Sequence, residues 1–473
     1  MSIAADKEHC SPSNPSSSVI APRDPRVVSL HQILANMPSN LEEVLSSCGI
    51  DLVPELVEAV LRLSYSSPSA ALRFFRWAGL SVKHTLSCWN LIIDILGKNS
   101  FFEVMWDIIG SMKRECGDLS LATFASVFSS YCSCGQFKQA VMSFQLLDRF
   151  GITRDVVALN TLIKSFCHQD GHTADAVEFL EKNKGTTSPN GETFTILLEG
   201  WQKEGNAACA KKTFGEMLFC VGWSTEYVAA YNAFLLTLIH ADEAKEVIPV
   251  LKIMKSRNCA PGMDFFTVAL EVLVQKRDFA NASVLWDIMA MDLGILPDLQ
   301  MYHCMVVLSC ENNNIDFACK LLDQMPFNGV FPNSAIYGAI FDCLVRMKNA
   351  REAEKFFAEM RKNEQVPSAS SCASAIRMFF KGFNPMAARE VWRCVVEEKV
   401  SPADDCAQEV IRGFSDLYRL SDVECYIEEM LSMGIEPPSN IIEKLKAVYL
   451  KKTGQIGKTD CYERIAKKLK PLH

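Results

Sequence analysis

The sequence predicts an all-α fold, a right-handed superhelical solenoid of stacked helix-turn-helix repeats. Three observations lead to this prediction. A small or polar residue recurs about every 35 residues, apolar residues keep fixed offsets from it, and a proline closes most periods. A single helical hairpin cannot bury both faces of its helices, so neighbouring hairpins must stack on one another. The first helices of the hairpins are then expected to line a groove.

The first helix of each repeat is marked by a small or polar residue within an apolar run. In VVALNTLIKSFC, residues 156–167, the pair Asn160-Thr161 interrupts the run and by itself would suit a local helix start. Its recurrence favours a groove-facing position in every first helix. The preceding residue is mostly aromatic, as at Trp89, and the residue three further on is always apolar, as at Ile93. The recurring positions are Asn90, Ala125, Asn160, Thr195, Asn232, Thr267, His303, Gly338, Ala373 and Gln408.

The second helix of each repeat carries an apolar stripe. In residues 334–368, for example, Ala353, Phe357 and Met360 are four and three residues apart, and Pro367 follows. These spacings place the three side chains on one helical face, and a proline beyond the helix prevents its continuation. Met and aromatic residues could also line a cofactor site, but a stripe that repeats along the chain is typical of core packing. We therefore expect no cofactor.

Four segments divide the chain. Residues 1–30 are Ser- and Pro-rich, with two arginines and three acids, and are expected to form a disordered leader or weak targeting segment. Residues 31–85 contain two amphipathic helices and form an N-terminal helical cap. Residues 86–438 hold ten repeats, and residues 439–473 hold a degenerate repeat with a basic helix. The repeats are 86–120, 121–155, 156–190, 191–227, 228–262, 263–298, 299–333, 334–368, 369–403 and 404–438.

Composition limits the classes of function. The formal net charge is −8 and the isoelectric point about 5.6, so no overall basic field indicates a nucleic-acid binder. Residues 443–473 nevertheless hold nine basic and three acidic residues, which suits either an anion contact or a solvated helix. The 19 cysteines include no C-x-x-C spacing, which is typical of reduced intracellular thiols and not of a zinc site. No apolar run is long enough to span a membrane.

The pattern resembles the pentatricopeptide repeat family over about residues 86–438. The resemblance lies in the 35-residue period, an aromatic residue before Asn near the start, Ala-x-x-x-Phe-x-x-Met in the second helix, and the closing proline. The tetratricopeptide family, with a 34-residue period and a Trp…Leu-Gly…Tyr pattern, fits less well. The uniform repeat length resembles the pure-repeat subclass, and LVEAVLRLSYSSPSAALRFFRWAG resembles the leader of plant members. The resemblance implies a mitochondrial location, with the chloroplast as the alternative.

In that family each repeat reads one RNA base with two side chains. The resemblance places them at the fifth and the last residue of each repeat, here called its reading pair. The pairs that match the family are Asn90/Ser120 (cytosine), Asn160/Asn190 (pyrimidine) and Thr267/Asp298 (guanine), and Ala125/Asp155 matches at one residue. The departing pairs are Thr195/Tyr227, Asn232/Gly262, His303/Asn333, Gly338/Ser368, Ala373/Ala403 and Gln408/Pro438. Thr195 and Asn232 are kept as candidate readers. The departures argue against base reading by the C-terminal half.

Two further kinds of RNA contact follow from the resemblance. The family's base-flanking valine, second in each repeat, occurs here only as Val157. A basic or His residue near the end of the first helix would contact the RNA backbone, which makes binding strong and salt-dependent. These residues are Lys98, His168, Lys203, His240, Arg346 and Lys381. Alternatively, they are solvated residues that the helix dipole favours at helix C-termini.

The resemblance implies a sequence-selective adaptor for single-stranded organellar RNA, monomeric and without catalytic activity, that acts in RNA processing, stability, splicing or translation. Some relatives carry a deaminase domain, but its H-x-E and P-C-x-x-C zinc motifs do not occur here. We therefore expect no enzyme and no metal. The acidic total and the departing pairs suit an alternative, a protein–protein scaffold, for example ribosome-associated, that no longer reads bases. Protein partners stay open, and no membrane insertion is expected.

Overall fold

A computed structural model of the chain describes residues 24–432, except 37, 118 and 418, and also Gly434. The chain forms two compact units, residues 1–237 and 238–473, and the boundary falls inside the helix Val228–His240. The segment predicted as a basic last repeat, 439–473, lies outside the described residues. Within the described part only helices and turns occur, which confirms the all-α class.

The first unit is a row of helical hairpins. Within it α3 contacts α5, α5 contacts α7, α7 contacts α9, and α9 contacts α11, so consecutive first helices form one layer. The helices are α1 (Pro25–Asn36), α2 (Leu41–Ser47), α3 (Pro54–Leu63), α4 (Pro68–Ala78), α5 (Leu86–Lys98), α6 (Phe102–Cys116), α7 (Leu121–Ser133), α8 (Phe137–Gln145), α9 (Val156–Cys167), α10 (Thr173–Asn183), α11 (Gly191–Glu204), α12 (Ala207–Cys220) and α13 (Val228–His240), which continues into the second unit.

The second unit repeats the arrangement. Here α15, α17, α19, α21 and α23 contact one another in sequence. Its helices after α13 are α14 (Ala244–Ser256), α15 (Met263–Gln275), α16 (Phe279–Asp287), α17 (Leu299–Glu311), α18 (Ile315–Gln324), α19 (Ser334–Arg346), α20 (Ala350–Lys362), α21 (Ala369–Lys381), α22 (Pro385–Glu397), α23 (Asp404–Asp416) and α24 (Leu420–Ser432). In both units, each of the ten odd-numbered helices from α5 to α23 begins at the first residue of one of the repeats framed above.

Helix α1 begins at Pro25, inside the segment expected to be a disordered leader. Proline suits the first turn of a helix because its missing N–H would have no partner there. The carboxylate of Asp24 accepts a hydrogen bond from the backbone N–H of Arg26 at 2.8 Å, and Val27 and Leu30 are buried. The Ser- and Pro-rich residues before α1 dominate the composition of 1–30 and hide this short apolar pattern, so the expectation was wrong for residues 25–30.

The predicted packing positions form the core of both units. The eighth residue of each first helix has no exposed surface, and neither do the methionines of the second-helix stripe. Burying one such side chain contributes about 1.5–3 kcal/mol, so the repeated set is the main stabilising term of each hairpin. The eighth residues are Ile93, Phe128, Ile163, Leu198, Leu235, Leu270, Val306, Phe341, Ile376 and Ile411, and the methionines are Met112, Met217, Met254, Met289, Met325, Met360 and Met430.

A residue with left-handed backbone closes the turn between the two helices of most hairpins. Glycine serves at Gly135 (φ 70°) and Gly205 (φ 66°), but the second unit has Asn313 (φ 54°), Lys348 (φ 57°) and Phe383 (φ 55°) at this place. A non-glycine residue costs roughly 1–2 kcal/mol in this conformation. Asparagine tolerates this conformation, but at Lys348 and Phe383 the packing of the two helices imposes the turn against the local preference of the residue.

Removal of one core side chain tests this account of the fold. Phe128 is fully buried, and its ring centroid lies 6.1 Å from that of Phe124 and 6.4 Å from that of Phe144. We expect Phe128→Ala to lower the free energy of unfolding by about 3–5 kcal/mol because it leaves a cavity, measured by urea unfolding followed by circular dichroism. The control is Met142→Ala, at a 61% exposed position of the same hairpin. Equal losses for the two variants would contradict the core assignment.

Candidate functional site

The last residue of a repeat lies at the N-cap of the next first helix. An N-cap side chain with an oxygen atom can accept a hydrogen bond from a backbone N–H that has no partner within the helix. The side chains that do so are Asp155, Asn190, Asp298, Asn333 and Ser368. Ser120 occupies the same place before α7 without such a bond. Helix capping thus favours the same residue types as base reading at this position.

The reading pair Asn160 and Asn190 comes together in the structure. Nδ2 of Asn160 donates to Oδ1 of Asn190 at 3.2 Å, and Oδ1 of Asn160 accepts from the Thr193 hydroxyl at 2.6 Å. Asn190 and Thr193 also form a reciprocal capping box at the start of α11. Asn160 is only 3% exposed. The expectation of a groove-facing Asn160 was therefore wrong, because the capped start of the next first helix covers it.

Other groups remain accessible beside this pair. Asn190 is half-buried, and its Nδ2 makes no hydrogen bond to any described residue. The carboxylate of Glu192 is exposed and accepts from Nδ2 of Asn160 at 3.3 Å. Val157, in the first turn of α9, has 54% of its surface exposed. The open surface at this place therefore offers an amide donor, a carboxylate acceptor and an apolar side chain.

The remaining candidate readers differ from this pair. Oδ1 of Asn90 accepts from the Thr123 hydroxyl at 2.7 Å. Thr195 and Thr267 turn their hydroxyls inward and donate to the backbone carbonyls of Gly191 at 2.8 Å and Met263 at 3.2 Å. Among the described residues no hydrogen bond joins Asn90 to Ser120 or Thr267 to Asp298. Ala125 is half-buried, and Asn232, also half-buried, has a buried Oδ1 without a partner in the described part of the chain.

The ring of Tyr227 packs against the first residue of its own repeat. A Cβ on Gly191 would lie 2.0 Å from Cε1 of Tyr227, so the tyrosine ring rests directly on the first residue of α11. Only glycine leaves room for this ring. The pair Thr195/Tyr227 therefore contains a hydroxyl bonded to the helix backbone and a ring packed against it, which explains structurally why it departs from the reading pattern.

Two of the expected backbone contacts are occupied within the protein. Nζ of Lys98 lies 2.7 Å from Oδ2 of Asp94 and 5.1 Å from the ring centroid of Tyr65. The guanidinium of Arg346 donates to the carbonyl oxygen of Cys310 near the end of α17. Lys98 acts as a surface ion-pair partner, and Arg346 caps a neighbouring helix C-terminus, which the helix dipole favours.

The other four expected contacts are more open. His168, Lys203, His240 and Lys381 are exposed. Partial burial, followed by the positive charges of Lys203 and Lys164, lowers the pKa of His168, while Glu199 acts in the opposite direction. His168, Lys164 and Lys203 are therefore close enough to interact electrostatically. Lys164 and His168 lie at the end of α9 and Lys203 lies near the end of α11. These basic residues and the best-matched reading pair thus belong to the same two helices and their caps.

No group of three or more metal-binding side chains occurs in the part of the chain that the structure describes. Its helices, searched over the same residues, include none with the length and apolar character of a membrane span. The 17 cysteines within that part are unpaired, and desolvation raises the pKa of Cys132 and Cys167 to about 12. Such thiols stay protonated and unreactive at neutral pH.

The capping role of Asn190 can be measured directly. Asn190→Ala removes the capping box and one acceptor of the buried Asn160, so we expect a loss of about 1–2 kcal/mol in unfolding free energy. Ser120→Ala changes an N-cap without a side-chain bond and should cost less than about 0.5 kcal/mol. Thermal and urea unfolding of both variants provide the measurement. A loss for Ser120→Ala as large as for Asn190→Ala would contradict the difference seen between the two caps.

Comparison with known proteins agrees with this repeat structure. The family model of the PPR repeat matches residues 87–116, 122–152 and 335–364. A mitochondrial pentatricopeptide repeat-containing protein of Arabidopsis thaliana is 22% identical over 411 residues, 86% of this chain and 71% of that protein. A second one is 26% identical over 163 residues, 34% of this chain and only 31% of that protein.

The crystal structure of the pentatricopeptide repeat protein PPR10 from maize shares 16% identity, with a TM-score of 0.46, and the match covers 90% of this chain and 64% of that chain. The chain therefore contains PPR repeats, and over most of its length it is similar to pentatricopeptide repeat proteins.

Proposed function

We propose that this protein binds single-stranded RNA on the surface of its first helices, as a sequence-selective adaptor in organellar RNA processing, stability, splicing or translation, and catalyses no reaction itself. The observation that carries this proposal is the contact between Asn160 and Asn190, which holds both residues of one reading pair within 3.2 Å. Reading a splayed base requires polar groups held at a fixed place. The capping box with Thr193 supplies that rigidity.

Within this proposal the two asparagines have different roles. Asn190 contacts the base edge, since its Nδ2 makes no hydrogen bond to a described residue, and Asn160 positions Asn190 from below. The exposed Val157 offers an apolar surface for the face of the base. The hydrogen-bonded Thr195 and the packed Tyr227 take no part in reading. The pairs Gly338/Ser368 and Ala373/Ala403 have no polar side chain at their first position.

Positive charge on the same two helices supports binding to the RNA backbone. Lys164 and Lys203 lie close enough to His168 to act on its charge, near the ends of α9 and α11. Phosphate contacts of this kind supply affinity without selecting a base. Binding is therefore expected to weaken as salt concentration rises.

We also propose a mitochondrial location and membership of the pure-repeat subclass. Two Arabidopsis thaliana relatives are named as mitochondrial proteins, and the repeats framed from the sequence vary in length by no more than two residues. A fluorescent fusion of the full chain imaged with mitochondrial and plastid markers tests the location. Signal in plastids alone would overturn it.

Selection from a random RNA pool tests the function. The wild-type protein should enrich a preferred sequence, and Asn190→Ala and Asn160→Ala should both lose preference at the same single nucleotide, a cost of about 1–3 kcal/mol in discrimination. Asn333→Ala removes an N-cap in a departing pair and should leave the preference unchanged. Lys203→Ala should weaken binding to all sequences alike.

Two results would contradict the function. One is the absence of selective enrichment, and the other is RNA binding that does not change between about 50 and 200 mM salt. Recovery from isolated organelles with protein partners that persist after RNase treatment, combined with either result, would favour the protein scaffold.

His168 gives the binding a dependence on pH. Its pKa lies below the usual 6.5, so the free protein carries it neutral at pH 7.5. A nearby phosphate stabilises the imidazolium and raises this pKa, so binding takes up a proton and affinity should increase, about threefold, as pH falls from 7.5 to 6. Fluorescence anisotropy with labelled RNA measures the effect. His168→Gln should flatten the profile, and an unchanged profile in that variant would exclude a role for His168.

A further inference from the structure

Three large apolar side chains are exposed around one cavity of the second unit. Phe327 is 91% exposed, Met291 83% and Leu296 62%. All three line a cavity of about 360 Å³ between α16 and α18, which the buried Trp286 also lines. We call these three side chains the apolar surface. Contiguous apolar groups at this level of exposure mark a surface that another segment covers.

Core packing does not require apolar residues at two of these positions. Met291 and Phe327 each come two residues after a buried methionine of the second-helix stripe. The other stripe methionines of the second unit, Met254, Met360 and Met430, are followed at the same distance by Ser256, Lys362 and Ser432. Two neighbouring repeats therefore share an apolar side chain at a place where the rest of the unit is polar.

The backbone is irregular at the same two places. Helix α16 continues into a π-helical turn, Ile288–Asp292, in which the N–H of Leu293 donates to the carbonyl of Ile288 at 2.9 Å. This turn accommodates the extra residue of repeat 263–298, which has 36 residues where eight of the ten repeats have 35. Helix α18 is followed by a 3₁₀ turn, Pro326–Asn328. The two turns carry Met291 and Phe327, and π-helical turns are frequent at functional sites.

The surroundings of the apolar surface are acidic. Residues 279–328, which include α16 and α18, hold six acidic residues and one basic residue, Lys320, a formal charge of −5. The exposed Asp287, Asp316 and Asp323 form no ion pair with a described residue. The charges of Asp323, Glu359 and Asp316 act together on Cys319, so the acidic area extends from α18 to α20. A segment that covers this surface should therefore be both apolar and basic.

The chain itself contains a segment with this chemistry. Residues 443–473 hold nine basic and three acidic residues. Within them, the spacing of Tyr462, Ile465, Ala466 and Leu469 predicts one apolar helical face, and Arg464, Lys467, Lys468 and Lys470 lie between them in sequence. We call residues 462–470 the basic segment. It lies outside the described part of the chain.

The basic segment is long enough in reach to arrive at the apolar surface. Ser432, at the end of α24, is the equivalent of Met291 and Phe327, so the chain leaves the second unit at the same end of the second helices. Helices α18 and α24 are three repeats apart, roughly 30 Å at the usual spacing of packed helices. The 29 residues 433–461 span up to about 90 Å when extended.

We propose that the basic segment of the same chain docks on the apolar surface between α16 and α18. Its apolar face covers Met291, Leu296 and Phe327, and its basic side chains face the carboxylates of α16 and α18. The segment is then a closing element of the second unit, and its positive charge serves the protein and not an anion in solution. The proposal is independent of the proposed RNA binding.

Photo-crosslinking of the full chain tests the contact. Benzoylphenylalanine in place of Tyr462 is irradiated, and peptide mass spectrometry locates the attachment, which we expect within residues 286–328. Equal mixing with ¹⁵N-labelled chains shows whether the link joins one chain or two, and one chain is expected. Met291→Ser with Phe327→Ser should lower the yield about tenfold, because the docked state loses two apolar contacts.

A second readout and a matched control separate docking from folding. Trypsin should cleave after Lys467 about tenfold faster in the Met291→Ser, Phe327→Ser variant, since cleavage follows the population of the undocked state. Ile465→Ser with Leu469→Ser changes the basic segment alone and should have the same effect. The control is Phe383→Ser with Met386→Ser, at positions 81% and 58% exposed in the same unit. Its yield should stay within about twofold of wild type.

Four results would overturn the proposal. They are attachment outside residues 286–328 or none at all, links that join labelled to unlabelled chains, an equal loss in the control variant, and transfer of the cross-link to an added uridine homopolymer. The second result would assign the surface to another copy of the chain, and the fourth would assign the basic segment to RNA. Circular dichroism of every variant confirms that the helical fold is kept.

Discussion

Each hairpin depends on its neighbours to bury the eighth residue of its first helix, and the rest of the structure follows from this constraint. All ten of these side chains lose their whole surface to solvent, and within each unit consecutive first helices lie side by side, from α3 to α11 in the first and from α15 to α23 in the second. Side-by-side packing places the start of one first helix next to the first turn of the preceding one. The contact between Asn190 and Asn160, thirty residues apart, is therefore a consequence of how the core is packed.

Stacking also explains what the sequence could predict. Apolar residues at fixed offsets, such as Trp89 and Ile93, identify the core because burial requires the same position in every repeat. The starts of the first helices follow from capping residues such as Asp155 and Asn190, which mark helix N-termini by their own chemistry. The pair Asp94–Lys98 could have been read as a surface ion pair, since a spacing of four residues brings such side chains together on a helix.

Local sequence patterns do not predict the contacts between side chains of neighbouring repeats. The burial of Asn160 depends on the way Asn190 and Thr193 fold back over it, and no local pattern encodes this. The spacing of Arg377 and Lys381 places them on one face of α21, but the cavity of about 410 Å³ that they line together with Arg346 and Lys348 forms only where α19 and α21 pack side by side. The net charge of −8 is a poor guide to local basic surfaces for a similar reason. It sums cations that are already paired, such as Lys98, with cations that form no ion pair with a described residue, such as Lys381.

The last residue of a repeat caps the next first helix and is also the second member of a reading pair. Whether one side chain can do both depends on how many polar atoms it has. An N-cap asparagine or aspartate uses one oxygen for the helix and retains a second polar atom, as Nδ2 does in Asn190. In Asp155, Oδ1 takes both backbone bonds while Oδ2 lies 3.4 Å from the Thr153 hydroxyl. A serine has a single hydroxyl for both tasks, and in Ser368 that group already accepts from the backbone of Ser371. Repeats with Asn or Asp at the cap can therefore keep a stable helix start and a free polar group together. Repeats with Ser, Gly or Ala at the cap have no second polar side-chain atom for this purpose.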